Sequence, residues 1–325
     1  MAMLQQASPA LLDRRPDRAT ITTDVLAGLS ACPRALPSKY FYDARGSALF
    51  EAITRQPEYY LTRTELELLQ QVLPQVAGLV GPAARVIEYG SGSGRKTRLL
   101  LRALDNVVAY TPVEISRTAL LDSVAALAAD FPDIEMLPVC ADFTTAPALP
   151  PAPQPARRSL LFFPGSTLGN FTHEAAVAIL RGMRQLIGGN GMALVGIDLD
   201  KDPRIIEAAY NDAAGVTAAF TLNLLARLNR EIGSDFDLDG FFHRARYVAQ
   251  RQRIETFLVS RRQQVVHVAG QAFAFAADEA MHVEYSHKYD DAGFAALAAA
   301  AGLQVAVGWD APARMFGLRL LQPAH

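Results

Sequence analysis

Cysteine is scarce: Cys32 and Cys140 are the only two in 325 residues. They lie far apart and without metal-ligand spacing, so neither a disulfide framework nor a zinc site is expected. Excess charge is also missing, since 31 Lys and Arg against 33 Asp and Glu leave a net −2 and a pI near 6.3. That balance supplies no basic face for nucleic acid. No uninterrupted apolar run reaches the ~18 residues of a membrane-crossing helix. The N-terminal MAMLQQASPALLDRRPDRAT has no apolar core behind its charges, so no signal peptide is expected, and no hydrophobic segment follows Arg14–Arg15 as a twin-arginine signal requires. No internal repeat is visible. What is present is a core: half the residues are hydrophobic and a fifth charged, with mean hydropathy +0.11. The expectation is a soluble, cytoplasmic globular protein of two domains, or of one domain with a large elaboration.

Residues 146–156 (APALPPAPQPA) read as a surface connection, because proline removes backbone donors and fixes φ. From about residue 84 to 200, short apolar runs alternate with helical spacing. Strands are expected over 85–89, 106–113, 134–139, 159–163 and 192–199. Helices are expected over 96–104, 116–131 and 173–187; in the second of these Leu120, Leu121, Val124, Leu127 and Phe131 share one side. Such alternation predicts a parallel sheet with helices on both faces and a ligand beyond the carboxyl ends of the strands. The flanks differ. Residues 20–60 are mixed aromatic and polar, 202–233 are helical, and 241–287 alternate like antiparallel strands. An Ala-rich helix over 292–301 and strand-like runs over 303–309 and 315–321 resume the first rhythm. The expected class is α/β: a Rossmann-like sheet domain (61–200 and 288–325) and a smaller α+β domain (20–60 and 201–287).

Glu88-Tyr-Gly90-Ser-Gly92-Ser-Gly94 closes the first strand and opens a helix. Glycines let the backbone approach a ligand, and a helix N-terminus offers unpaired N–H groups. An ordinary strand–helix turn needs one glycine, not three. The spacing departs from the G-x-G-x-x-G of dinucleotide folds, which disfavours a nicotinamide oxidoreductase. It is similar instead to the loop of S-adenosylmethionine-dependent methyltransferases. Glu114 ends the second strand, where a carboxylate can accept both ribose hydroxyls of a nucleoside. Asp142 ends the third, where it can bond an adenine amino group, with Phe143 against the ring. Either acid alone reads as a cap or a solvated loop residue; together they form a nucleoside pocket. Lys96, one of four lysines in an arginine-rich chain, stands where it could reach a cofactor carboxylate. After the fourth strand, Phe163-Pro-Gly165-Ser-Thr-Leu-Gly169-Asn170-Phe171 is where a methyl acceptor would sit. Asn170 offers a donor and an acceptor to an amino acid, although Asn after Gly is commonly a turn residue.

Longer stretches carry a resemblance. Lys39–Phe50 (KYFYDARGSALF), Pro57–Tyr60, Thr62–Glu65, Glu88–Arg98, Gly165–Asn170, Tyr210–Thr217 and Glu284–Ser286 resemble, in the same order, the L-histidine Nα-methyltransferases of ergothioneine biosynthesis. The resemblance runs from about residue 20 to the C-terminus. It implies a class I methyltransferase sheet, S-adenosylmethionine as cofactor, and three successive methylations of L-histidine to hercynine. It implies that Gly90, Ser91, Gly92, Lys96, Glu114, Asp142 and Phe143 bind the cofactor. Tyr59, Gly165, Asn170 and Tyr210 would surround the backbone groups of the amino acid, and Glu284 and Ser286 would grip its imidazole. Tyr42 would stand near the amine and help remove its proton through a water, with Asn170 as the second catalytic residue and Phe50 as an aromatic wall. No metal is implied. Without the resemblance, Tyr59 and Tyr60 read as core tyrosines, Glu284 as a solvated strand residue, and His282 and His287 as surface histidines.

Three positions depart from that pattern. Thr256 stands where a methionine is expected to face the imidazole, Glu114 replaces an aspartate, and Pro164 replaces an aliphatic residue. Two rival functions remain: methylation of another amino acid such as tryptophan, and silent S-adenosylmethionine binding, which the set Asn170, Tyr59 and Glu284 argues against. A small zwitterionic substrate, no nucleic acid, no membrane and a monomer complete the expectations.

Overall fold

The computed structural model describes residues 11–14 and 17–324. Residues 1–10 and Arg15, on which the signal-sequence readings rest, lie outside the described residues. In chain order, strand β1 (Leu12–Arg14) precedes helices α1 (Arg18–Ser30), α2 (Ala44–Ile53) and α3 (Tyr60–Val80). Strand β2 (Ala84–Tyr89), helix α4 (Arg95–Ala103), strand β3 (Ala109–Glu114) and helix α5 (Arg117–Asp130) follow. Next come β4 (Glu135–Met136), β5 (Val139–Ala141), β6 (Arg158–Phe163), α6 (His173–Ile187) and β7 (Met192–Ile197). Helices α7 (Pro203–Ala208) and α8 (Val216–Ile232) lead into β8 (Phe241–Val248), β9 (Arg253–Ser260), β10 (Gln264–Val268), β11 (Gln271–Phe275) and β12 (Ala280–His287). Helix α9 (Asp291–Ala300), β13 (Leu303–Asp310) and β14 (Gly317–Pro323) close the chain.

The large sheet runs β1-β5-β3-β2-β6-β7-β14-β13, with β4 also on β3. Pairings from β1 to β7 are parallel, while β14 runs antiparallel to β7 and to β13. Side chains alternate across a strand, so β2 feeds two cores. Val86 joins Leu69 and Leu73 of α3 on one face, and Ile87 joins Leu180 and Met183 of α6 on the other. Burial on both faces explains why these strands read as continuous apolar runs. Each fully buried Val, Leu or Ile contributes about 1.5–3 kcal/mol. Chain order reverses between β2 and β6, so β3 and β6 diverge from β2 and leave a crevice at their carboxyl ends.

The second sheet is antiparallel, β12-β9-β8, and a hairpin pairs β10 with β11. The hairpin turn, Ala269-Gly270, takes positive φ at both residues (49° and 80°), the twist that two-residue hairpins favour. The free edge of β12 is covered by 34–36, where Leu36 N–H donates to His282 O (2.8 Å) and His282 N–H to Arg34 O (3.0 Å).

Several details differ from the sequence expectations. The third strand is split, because Pro138 has no N–H to give a ladder. The single helical stretch over 202–233 is two helices, since Asp212 accepts from Val216 N (2.7 Å) and Thr217 N (2.8 Å) and starts α8 afresh. The second strand begins at Ala109, after Asn106 takes φ 50°. The stretch 20–60 holds two helices, and β1 adds an edge strand ahead of it. His282 and His287 are half-buried rather than surface histidines, and burial pushes both down to about 4. Among the described residues no cluster could hold a metal ion, and no helix is long and apolar enough to cross a membrane.

Candidate active site

A cavity of about 1040 Å³ opens beyond the carboxyl ends of β2, β3, β5 and β6. Its lining includes Gly90, Gly92, Glu114, Asp142 and Phe143 on the sheet side, and Tyr42, Phe50, Asn170 and Glu284 opposite. The remaining expected site residues, Tyr59, Ser91, Lys96, Gly165, Tyr210, Thr256 and Ser286, lie outside that lining.

The glycine loop is built for close approach. Gly90 takes φ +70°, and a Cβ there would meet nothing within 4 Å, so the backbone faces open space. Glu88, the acid ahead of the loop, points the other way: its Oε2 accepts from Thr97 Oγ1 (2.7 Å) and Tyr110 OH (2.6 Å). It therefore braces α4 and β3 behind the loop, and burial pushes it up to about 8 despite those two bonds. Glu114 accepts from Ser116 N (2.9 Å) and Gly92 N (3.4 Å), and burial raises it above the usual carboxylate range. Asp142 caps the turn that follows it, accepting from Thr144 N (3.0 Å), and its other oxygen pairs with Lys39 (3.3 Å), which also holds Asp24 (3.0 Å). Phe143 stacks on Tyr89 at 5.1 Å between centroids. Among the described residues, the buried Ser91 Oγ has no hydrogen-bond partner.

The Lys96 ammonium pairs with fully buried Glu65 at 2.5 Å. Gly165 N–H donates to both oxygens of the same carboxylate (2.9 and 3.1 Å). Glu65 thus ties α3, α4 and the loop after β6 together. Gly196 on β7 makes room for it, because a Cβ there would sit 2.7 Å from Glu65 Oε1.

At the other wall, Asn170 Nδ2 donates to Glu284 Oε1 (3.3 Å). Thr256 is the cross-strand partner of Glu284, and its buried Oγ1 has no hydrogen-bond partner among the described residues. Burial pushes Glu284 up to about 8, with Lys288 opposing the shift. Tyr42, Phe50, Tyr59 and Phe220 form an aromatic group with centroids 5.7–6.3 Å apart. Burial, then Glu284 and Glu114, raise the Tyr42 phenol well above its ordinary value. Tyr210 OH and Ser286 Oγ lie 2.6 Å apart. Both meet Lys288 Nζ at 2.9 Å, and Lys288 pairs with buried Asp198 at 2.8 Å. Lys201 and Tyr60 hold Asp198 as well, at 2.6 and 2.8 Å. Glu65, Asp198, Lys201 and Lys288 were not singled out from the sequence. Asp198 sits at the carboxyl end of β7, the same strand-end position that marked Glu114 and Asp142.

A mostly parallel sheet with an antiparallel β14, a glycine loop after its central strand and acids at successive strand ends define a class I S-adenosylmethionine-dependent methyltransferase. Residues 21–323 match the family described as histidine-specific, SAM-dependent methyltransferases, and the chain belongs to that family. It is 42% identical to a histidine N-alpha-methyltransferase of Mycolicibacterium smegmatis over 91% of this chain and 93% of that one. The ergothioneine biosynthesis protein 1 of Neurospora crassa is 34% identical over 64% of this chain and 24% of its own length. A 4-dimethylallyltryptophan N-methyltransferase of Epichloe festucae var. lolii is 26% identical over 88% of this chain and 90% of its own.

Proposed function

We propose that this enzyme transfers methyl groups from S-adenosylmethionine to the α-amine of L-histidine three times, giving hercynine as the first step of ergothioneine biosynthesis. The observation that carries the reading is Glu284, a half-buried carboxylate on the cavity that also holds the glycine loop. Among the described residues it has no ion-pair partner, and Asn170 alone donates to it. An imidazole N–H supplies a further donor. Phenylalanine or leucine would leave the carboxylate short of partners, which costs far more than a poor fit of shape. The fungal tryptophan-derivative enzyme is the more distant relative, which agrees with this preference.

The cofactor fits the residues present. Ser91 Oγ lacks a partner among the described residues, Gly90 leaves space for close approach, and Glu114 offers oxygens to a diol. Gly90, Ser91, Gly92, Glu114, Asp142 and Phe143 would hold it, and when bound it supplies a methyl group already activated on a sulfonium. The chain is left to align the amine, exclude water and let a proton go. Alignment of two groups in a pocket can supply ~7–11 kcal/mol. The amine must be neutral to attack, and a peptide α-amino group loses its proton near pH ~8. Tyr42 keeps its phenol proton in this environment, so it acts as a hydrogen-bonding group and the amine proton leaves through water. Tyr42, Phe50 and Tyr59 suit the product, because aromatic faces attract a quaternary ammonium.

The test is incubation with S-adenosylmethionine and each amino acid in turn, read by mass spectrometry. Histidine carrying three added methyl groups is the expected product. Binding of S-adenosylmethionine with no methylated histidine would overturn the reading in favour of a silent binder.

A further inference from the structure

Lys288 is wholly buried, and an ammonium has three protons and no acceptor. All three are committed, to Asp198 Oδ2 (2.8 Å), Tyr210 OH (2.9 Å) and Ser286 Oγ (2.9 Å). Burial disfavours the charge, but Asp198 and Tyr210 outweigh it, and the ammonium is held charged. Tyr210 and Ser286 must therefore both accept from Lys288. A single hydrogen occupies the 2.6 Å gap between them. Phenol is the stronger acid, so Tyr210 donates and Ser286 accepts a second time. The lone pairs of Ser286 Oγ are then filled and its own O–H is left over. Glu284 precedes Ser286 by two residues on β12 in regular register, so the two side chains share one face of the strand.

We infer that Lys288 is a positioning residue that sets the hydrogen-bond polarity of the imidazole pocket, fixing Ser286 as a donor beside Glu284 as an acceptor. This rests on the proposed histidine reading. Such a pair matches a neutral imidazole in one tautomer, whose N–H meets Glu284 and whose bare nitrogen meets Ser286. A pocket in which serine could turn either way would accept rings that lack the bare nitrogen.

The test compares Lys288→Met and Ser286→Ala with the wild type, using L-histidine and the isosteric thienylalanine, which has no ring hydrogen-bonding groups. The wild type must first methylate histidine; failure there refutes the functional reading and not the role of Lys288. Expected for Lys288→Met is a loss of about tenfold in the kcat/KM preference for histidine, carried by KM, with the S-adenosylmethionine Kd unchanged. Ser286→Ala should lose as much, and the double variant no more than either. A purely structural lysine would lower activity on both substrates equally, and an unchanged preference overturns the inference. If Lys288→Met does not fold, Lys288→Arg is read instead: an unchanged histidine preference overturns the inference, and a lost one with the S-adenosylmethionine Kd unchanged supports it.

Discussion

Replacing Glu284 by Gln keeps its shape and removes a titration that the fold disfavours. Its pKa rises from 4.5 to about 8 on folding. At about 1.4 kcal/mol per unit that is roughly 5 kcal/mol against ionising it in the fold, and about half that once water in the adjoining cavity screens the charge. Between pH 4.5 and 8 the folded chain keeps a proton that the unfolded chain has released. Stability therefore falls as pH rises through that window. Glu88, also near 8, acts in the same sense in both proteins and cancels in the difference. Urea unfolding of Glu284→Gln and wild type should give a gap that favours the variant progressively, growing by about 2–3 kcal/mol from pH 4.5 to pH 8. Activity should move the other way. Assayed at pH 9, where Glu284 is ionised, losing a charge-assisted bond to the imidazole should raise the histidine KM about 10- to 100-fold. The S-adenosylmethionine Kd, read by calorimetry, should stay constant. A stability gap that ignores pH, or equal loss of both ligands, would refute the reasoning.

Lys96→Met should leave Glu65 buried without its cation and destabilise the chain by about 3–5 kcal/mol in urea unfolding. Adding Glu65→Gln should recover part of that, and no recovery would show that Lys96 acts apart from Glu65. Gly196→Ala puts a Cβ 2.7 Å from Glu65 Oε1 and 3.1 Å from Gly165 N, so a loss of about 1–3 kcal/mol is expected in the same assay. Tyr42→Phe should leave the pKa of the kcat–pH profile in place, because its phenol stays protonated throughout; a displaced limb would show that the phenol ionises during turnover.

The order of strands and helices could be read from the sequence because its signals are local. Period-2 and period-3.6 runs, three glycines after the central strand, and Glu114 and Asp142 at strand ends each occupy a few adjacent residues. Pro138, which splits the third strand, is an equally local signal. The hydrogen bonds to the buried carboxylates of Glu65 and Asp198 are different in kind. Gly165 and Glu65 are 100 residues apart, and Tyr60 and Asp198 are 138 apart. No periodicity reports such a pairing, and charged residues are expected outside unless paired. One compositional signal did exist. The chain is rich in arginine yet keeps four lysines, and all four pair with acids: Lys39 with Asp24 and Asp142, Lys96 with Glu65, and Lys201 and Lys288 with Asp198. Arginine presents a flat fork suited to two parallel bonds, whereas an ammonium is a compact point with three donors. Lys288 reaches a carboxylate and two hydroxyls at once, an arrangement that a planar guanidinium cannot copy. In this chain the rare Lys288 marks a place where the geometry around a cation is itself the requirement.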